Sequence, residues 1–127
     1  MKKSIGLVGH CGPDAFMLRS AVKYAIPDAD VVFISDTTSL QDAIEKGVSV
    51  LLVNRLLEGY FSDTRGVELI RQLHESHPTI KTVLISNYPE AQSEAIRAGA
   101  VEGFGKSEIG TPKMRQCLEK VLKEQTP

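Results

Sequence analysis

A chain of 127 residues has room for one domain and enough length to bury a core without disulfides or metals. Its 42% apolar and 24% charged residues exclude a disordered, collagen-like or coiled-coil chain. Fifteen basic against 16 acidic side chains, 6% aromatics and no Trp leave neither a basic footprint nor a stacking surface for nucleic acid.

Cys11 and Cys117 are fewer cysteines than a secreted disulfide scaffold of this size carries, so a reducing cytoplasm is the expected compartment. Met1-Lys2-Lys3 could open a leader, but Gly6, Gly9 and His10 interrupt the apolar run after Ile5. No run approaches the roughly 18–20 apolar residues of a membrane span, and no membrane partner is expected.

Ser4–Val8 reads as a strand, followed by a loop from Gly9 to Pro13 with Asp14 at a helix entrance. Leu18, Ala21, Val22, Ala25 and Ile26 make one helical stripe that Pro27-Asp28 ends. Val31–Ile34 is short, apolar and β-branched, and is expected to be a buried strand. Ser39 with Asp42 resembles a capping box, opening a helix that Gly47 closes. Val48–Val53 is a nearly continuous apolar strand, the pattern of burial on both sheet faces.

Asn54 to Gly66 reads as a loop, in which Asp63-Thr64-Arg65-Gly66 is a turn with a helix cap. Val67–His77 is a helix with Val67, Ile70, Leu73 and His74 on its buried face. Lys81–Ile85 is a strand, and Pro89–Ala98 a helix with a small apolar side of Ala91, Ala95 and Ala98, capped by Gly99. Val101–Phe104 is the last strand. Thr111-Pro112 then starts a helix with the stripe Met114, Cys117, Leu118, Val121 and Leu122. Lys113, Glu119, Lys120, Lys123 and Glu124 form its solvated side, and the chain ends in a polar tail.

Strict alternation predicts an α/β fold: a five-stranded parallel sheet with helices on both faces, (βα)5 and flavodoxin-like. The functional crevice of such sheets lies at the carboxyl ends of the strands. That places Gly9-His10-Cys11, Asp36, Asn54-Arg55, Ser86-Asn87 and Lys106 at the crevice. Lys106 offers a point charge to an anion or stands as a solvated lysine. Ser86 offers a hydroxyl or bonds its own turn.

His10 with Cys11 is a soft-metal pair, but His74, His77 and Cys117, the other available donors, fall on distant helices, and no metal site is expected. A reactive thiol at Cys11, with His10 as base, is the enzyme alternative; residues that simply fill the loop are preferred, and no enzymatic activity is expected.

The whole chain resembles the receiver domain of two-component response regulators. Ile5-Gly6-Leu7-Val8, Leu51 to Gly59, Thr82-Val83-Leu84-Ile85-Ser86 and Gly99 to Lys106 carry the likeness. The resemblance implies that Lys106 is the phosphoryl-contacting lysine and Ser86 the switch hydroxyl. It puts Asn54 where the family has its phosphoacceptor aspartate, and Gly9 and His10 where it has its acidic pair.

Those three positions depart from the family pattern. A carboxamide is not a phosphoryl nucleophile, and glycine with imidazole does not replace the carboxylate oxygens that Mg²⁺ prefers. Leu56, Glu58, Asn87, Gly103 and Ser107 also differ from the family's usual residues, with Asn87 expected to crowd the entrance and Phe104 standing beside the switch-aromatic position. Asp14 and Asp36 are the nearest remaining acids, and Asp14 is expected to cap the first helix. The expectation is a degenerate pseudo-receiver with no catalytic residue, no metal and no cofactor, Mg²⁺ included. Asp at position 54 alone is not expected to restore phosphorylation, whereas Asp at 9, 10 and 54 together is expected to recover weak Mg²⁺ binding.

The resemblance implies action by contact with a kinase, an output protein or a second copy, through the fourth helix, fifth strand and fifth helix. Gln92, Ser93, Arg97, Glu102, Lys106, Glu108 and Lys113 would line that face. One receiver-like domain over residues 1–127, without an effector domain, is expected. The alternatives are a domain that binds an anion or small molecule through Asn54, Ser86 and Lys106, and the amino-terminal receiver of a longer transcriptional regulator.

Overall fold

In a computed structural model, described over residues 3–123, the strands form one parallel sheet in the order β2-β1-β3-β4-β5. In chain order the elements are β1 (Ser4–Val8), α1 (Gly12–Ala25), β2 (Asp30–Ile34), α2 (Thr37–Glu45), β3 (Val50–Asn54), α3 (Gly66–Ser76), β4 (Lys81–Ile85), α4 (Pro89–Ala98), β5 (Val101–Phe104) and α5 (Pro112–Lys123). A single 3₁₀ turn, Lys106–Glu108, joins β5 to α5.

Two apolar layers sandwich the sheet because successive strand residues point to opposite faces. Ile5, Leu7, Val50, Leu52, Val83 and Ile85 pack against Leu18 and Val22 of α1 and Met114 and Leu118 of α5. Val8, Leu51, Val53 and Leu84 pack against Ile70 and Leu73 of α3 and Ala95 and Ala98 of α4. All five residues of β3 are buried, which is why its run is apolar without alternation.

The structure corrects several expected boundaries and burials. Helix α1 begins at Gly12, with Cys11 at the N-cap and Pro13 in the first turn, so Asp14 lies inside that turn rather than capping it. The capping box of α2 is Asp36 with Ser39, not Ser39 with Asp42: the Ser39 N–H donates to Asp36 Oδ1 at 2.6 Å and the Asp36 N–H donates back to Ser39 Oγ at 3.2 Å. Strand β3 starts at Val50, with Val48 buried just ahead of it. Strand β2 is buried only in part, at Ile34. It is one of the two sheet edges, and Val32 and Phe33 remain 38% and 47% exposed because no strand covers its outer side.

His74 is exposed rather than part of the buried face of α3. Its ring lies against Gly99, where a Cβ would come within 2.4 Å of it. Gly47 and Gly99, with φ of +87° and +120°, end α2 and α4 as expected. Met1 and Lys2, and the polar tail from Glu124, lie outside the described residues.

Candidate functional site

The carboxyl ends of β1, β3, β4 and β5 meet on one edge of the sheet, and the sequence places polar residues there. After β1 the chain turns through Gly9 at φ +71°, a conformation that glycine adopts freely. A Cβ at this position would lie 2.6 Å from Leu57 Cδ2 and 2.9 Å from the Leu57 backbone. The next residue, His10, is half-buried and donates its Nε2–H to the carbonyl of Leu52 at 2.9 Å. Burial holds the imidazole below its ordinary pKa, against the pull of the Leu52 carbonyl, so the ring is neutral near pH 7.

At the end of β3, Asn54 is buried at 5% exposure and fully engaged. Its Nδ2 donates to the carbonyls of Gly9 at 2.9 Å and Leu56 at 2.7 Å, while its Oδ1 accepts the N–H of Arg55 at 3.1 Å. The carboxamide thereby ties the β1 loop to the β3 loop. Gly66, the first residue of α3, also belongs to this knot, since a Cβ there would fall 2.0 Å from the Asn54 carbonyl oxygen.

At the end of β4, Ser86 is buried and its Oγ accepts the N–H of Tyr88 at 3.2 Å, closing its own turn. Asn87 turns its side chain to the loop after β5. Its Oδ1 accepts from the N–H and the hydroxyl of Ser107 at 3.1 and 3.0 Å, pinning the loop after β4 to the turn after β5. Arg55 leaves the crevice on the other side, its guanidinium 4.7 Å above the Tyr88 ring.

Lys106 opens the 3₁₀ turn and reaches across the sheet edge to Asp14, Nζ to Oδ2 3.3 Å. The Cys11 thiol and the Lys106 ammonium hold the Asp14 carboxyl below its ordinary value. His10, Asp14 and Lys106 thus share one electrostatic neighbourhood. Asp36 is not part of it, since its carboxylate is spent on the α2 cap, and the Ser39 N–H keeps that carboxyl low.

A divalent cation does not fit this arrangement. Position 9 has no side chain, His10 donates from Nε2, and Asn54 turns N–H groups toward two carbonyls. The remaining carboxylate, Asp14, is already paired with Lys106. Cys117 lies on the opposite side of the domain, half-buried against the Glu102 carbonyl, and burial pushes its thiol up to about 11. Among the described residues no group of three or more His, Cys, Asp or Glu side chains is placed to hold a metal. No described helix is long and apolar enough to cross a membrane.

On the α4–β5–α5 side, Ser93, Arg97, Glu102 and Lys113 are exposed, and a groove of about 530 Å³ runs past Ile96, Val101, Cys117 and Val121. Gln92 is not a surface residue of this face. Its Nε2 is within hydrogen-bond distance of the carbonyls of Leu84 (2.9 Å), Ser86 (3.1 Å) and Phe104 (3.3 Å), where a bulge interrupts the β4–β5 pairing. Gly103 makes room for it, because a Cβ there would meet Leu84 O at 2.2 Å and Gln92 Oε1 at 2.8 Å. Phe104 is buried under the sheet at 1% exposure. Sequence reasoning missed this use of Gln92, and an isolated glutamine in a helix carries no signal for it. Lys106 faces Asp14, and Glu108 pairs with Lys113 at 3.2 Å while accepting the Gly105 N–H at 2.7 Å.

No protein-family model matches the sequence, and no curated protein matches it. Solved structures do match. NtrX from Brucella abortus superposes with a TM-score of 0.82 at 20% identity over 98% of this chain, which spans 28% of that one. The signal receiver domain of a DNA-binding response regulator from Colwellia psychrerythraea 34H has a TM-score of 0.78 at 14% identity, with 96% of this chain and 99% of that one covered. The non-phosphorylated receiver domain of the stress response regulator RcsB from Escherichia coli has a TM-score of 0.75 at 20% identity, with 94% and 95% covered.

Proposed function

We propose, from the receiver fold that these structures share with the chain, that it is a signalling module acting through protein contact and taking no phosphoryl group at position 54. The observation that carries this reading is the orientation of Asn54, whose N–H groups face the carbonyls of Gly9 and Leu56. A phosphoacceptor needs an unengaged carboxylate oxygen aimed at the crevice and a cation beside it. Here the group is a neutral donor bonded inward, and Lys106 is neutralised by Asp14. The same pair offsets the positive charge that an anion would meet, which favours this reading over the ligand-binding alternative.

The contact surface favoured by this reading is the exposed part of α4, β5 and α5, with Ile96, Arg97 and Lys113 around the groove. Its partner is another signalling protein, a kinase or an output protein. A module whose crevice is closed by its own hydrogen bonds presents that surface in one conformation, so signal enters through partner availability rather than through a covalent mark.

Acetyl phosphate and beryllofluoride, each with Mg²⁺, test the proposal. Intact mass and backbone amide resonances should stay unchanged. A gain of one phosphoryl group mapped to the loop after β3, or a beryllofluoride-dependent shift of Ser86 and Lys106, would sink it.

A further inference from the structure

One edge of the sheet is β2. Its sequence, Asp30-Val31-Val32-Phe33-Ile34, carries no Pro, Lys or bulge, the devices that usually blunt an exposed edge. The Asp30 N–H and the Ile34 carbonyl bond toward Lys3 and Gly9, on the β1 side. By the alternation of a parallel ladder, Ala29, Val31, Phe33 and Ser35 turn their backbone groups the other way.

The two flanking residues are already used. Ala29 donates to the Ile26 carbonyl at 3.0 Å and accepts from Lys23 Nζ at 2.8 Å. Ser35 donates to Ser39 Oγ at 3.2 Å and accepts from the Tyr60 N–H at 2.8 Å. Among the described residues, what remains is a set of four outward groups, the N–H and C=O of Val31 and of Phe33, arranged symmetrically about Val32.

We propose that this edge pairs with the β2 edge of a second copy of the chain, antiparallel, about a two-fold axis at Val32. In that register Val31 of each copy lies opposite Phe33 of the other, and each such pair exchanges two backbone hydrogen bonds. Val32 meets Val32 as the close, non-hydrogen-bonded pair, and within the strand no like charges stand directly opposite. The groups present are self-complementary, which is the requirement of an isologous interface. A parallel partner strand would not use the four groups symmetrically.

The side chains support the same occupant. Phe33 is 47% exposed and touches Phe16 of α1, 68% exposed, with ring centroids 6.1 Å apart. Val32 adds an exposed apolar surface on the other face of the strand. With a Phe offering roughly 150–250 Å² when fully exposed, these three residues supply roughly 300 Å² per copy. A standard interface of about 800 Å² per partner contains about 450 Å² of apolar surface. The edge therefore makes a weak, concentration-dependent dimer rather than an obligate one.

Sedimentation velocity over about two decades of concentration, together with hydrogen exchange, tests this. The expected result is a concentration-dependent dimer in which the amides of Val31 and Phe33 gain protection as it forms. Val32→Lys, which sets like charges across the axis, and Val31→Pro, which deletes an outward N–H without touching the β1 ladder, should each weaken association at least about tenfold. Ile96→Lys, on α4, should leave it unchanged. A monomer at every concentration overturns the proposal, as does a dimer that survives both β2 variants or is lost equally with Ile96→Lys. Should either variant misfold, the exchange result on the unmodified chain decides, since unprotected Val31 and Phe33 amides in a dimer place the interface elsewhere.

Discussion

Lys106 and Asp14, 92 residues apart in the chain, join β5 to the first turn of α1 through an ion pair of 3.3 Å. The contact pairs the lysine at the crevice with the acid in the first turn of α1. The side chains are 41% and 29% exposed, so the pair contributes at most about 1 kcal/mol to stability. Its larger consequence is chemical, because it pairs the Lys106 ammonium with the Asp14 carboxylate at the crevice.

Asn54→Asp should destabilise the fold without enabling phosphorylation. The new carboxylate would replace a donor facing two carbonyl oxygens at 2.9 and 2.7 Å, in a buried position. Losing those bonds and burying the charge should cost about 2–4 kcal/mol at pH 7. Burial and the facing carbonyls raise the folded-state pKa of this carboxyl, so the penalty is full above that value and shrinks as pH falls toward about 4. Urea melts at pH 7 and pH 5 measure both parts. An equally stable variant that labels with acetyl phosphate would mean the knot around position 54 is easily undone.

Gly9→Ala should cost about 1–3 kcal/mol, because residue 9 has φ +71° and a Cβ there runs into Leu57. Gly9→Asp should cost more. The strained backbone and the Leu57 contact at position 9 stand against the Mg²⁺ binding expected from the sequence for Asp at 9, 10 and 54 together. Isothermal titration of the triple variant with Mg²⁺ should show no binding, and its thermal midpoint should fall.

Acidification should weaken the fold through His10. Its folded pKa is lowered, chiefly by burial, so the neutral ring's contribution is present above the ordinary imidazole value of about 6.5 and is lost as pH falls through the folded value. His10→Gln should flatten the stability profile between pH 7 and pH 5. A wild-type profile that is level across this window, or one unchanged by the substitution, would count against it.

Gln92→Leu should cost about 1–3 kcal/mol by removing the donor shared among the carbonyls of Leu84, Ser86 and Phe104. Amide exchange of β5 and the first turn of α4 should speed up while β1 and β3 stay protected. Lys120→Ala, on the exposed side of α5, should change stability by less than about 0.5 kcal/mol. Similar losses in both variants would show that Gln92 has no special role in joining α4 to the sheet.

Periodicity and punctuation determined the architecture, because they act over a few residues. The apolar run Val50–Val53 demands burial on both faces, and the stripe from Met114 to Leu122 demands one covered side wherever the helix lies. Gly47 and Gly99 marked helix ends through their own backbone freedom. The polar residues at strand ends were legible for the same reason, since a parallel sheet carries them all to one edge.

What the sequence did not contain was the partner of each of those groups. Val31–Ile34 has the composition of a buried strand, and only the strand order makes it an edge. Lys106 looks like a free cation until the fold carries Asp14 to it, and Asn54 looks like a side chain open to the crevice until its amide meets the carbonyls of Gly9 and Leu56. Local pattern sets which face of an element is apolar. The contacts that satisfy or neutralise a polar group come from segments tens of residues away, so they exist only once the sheet has assembled.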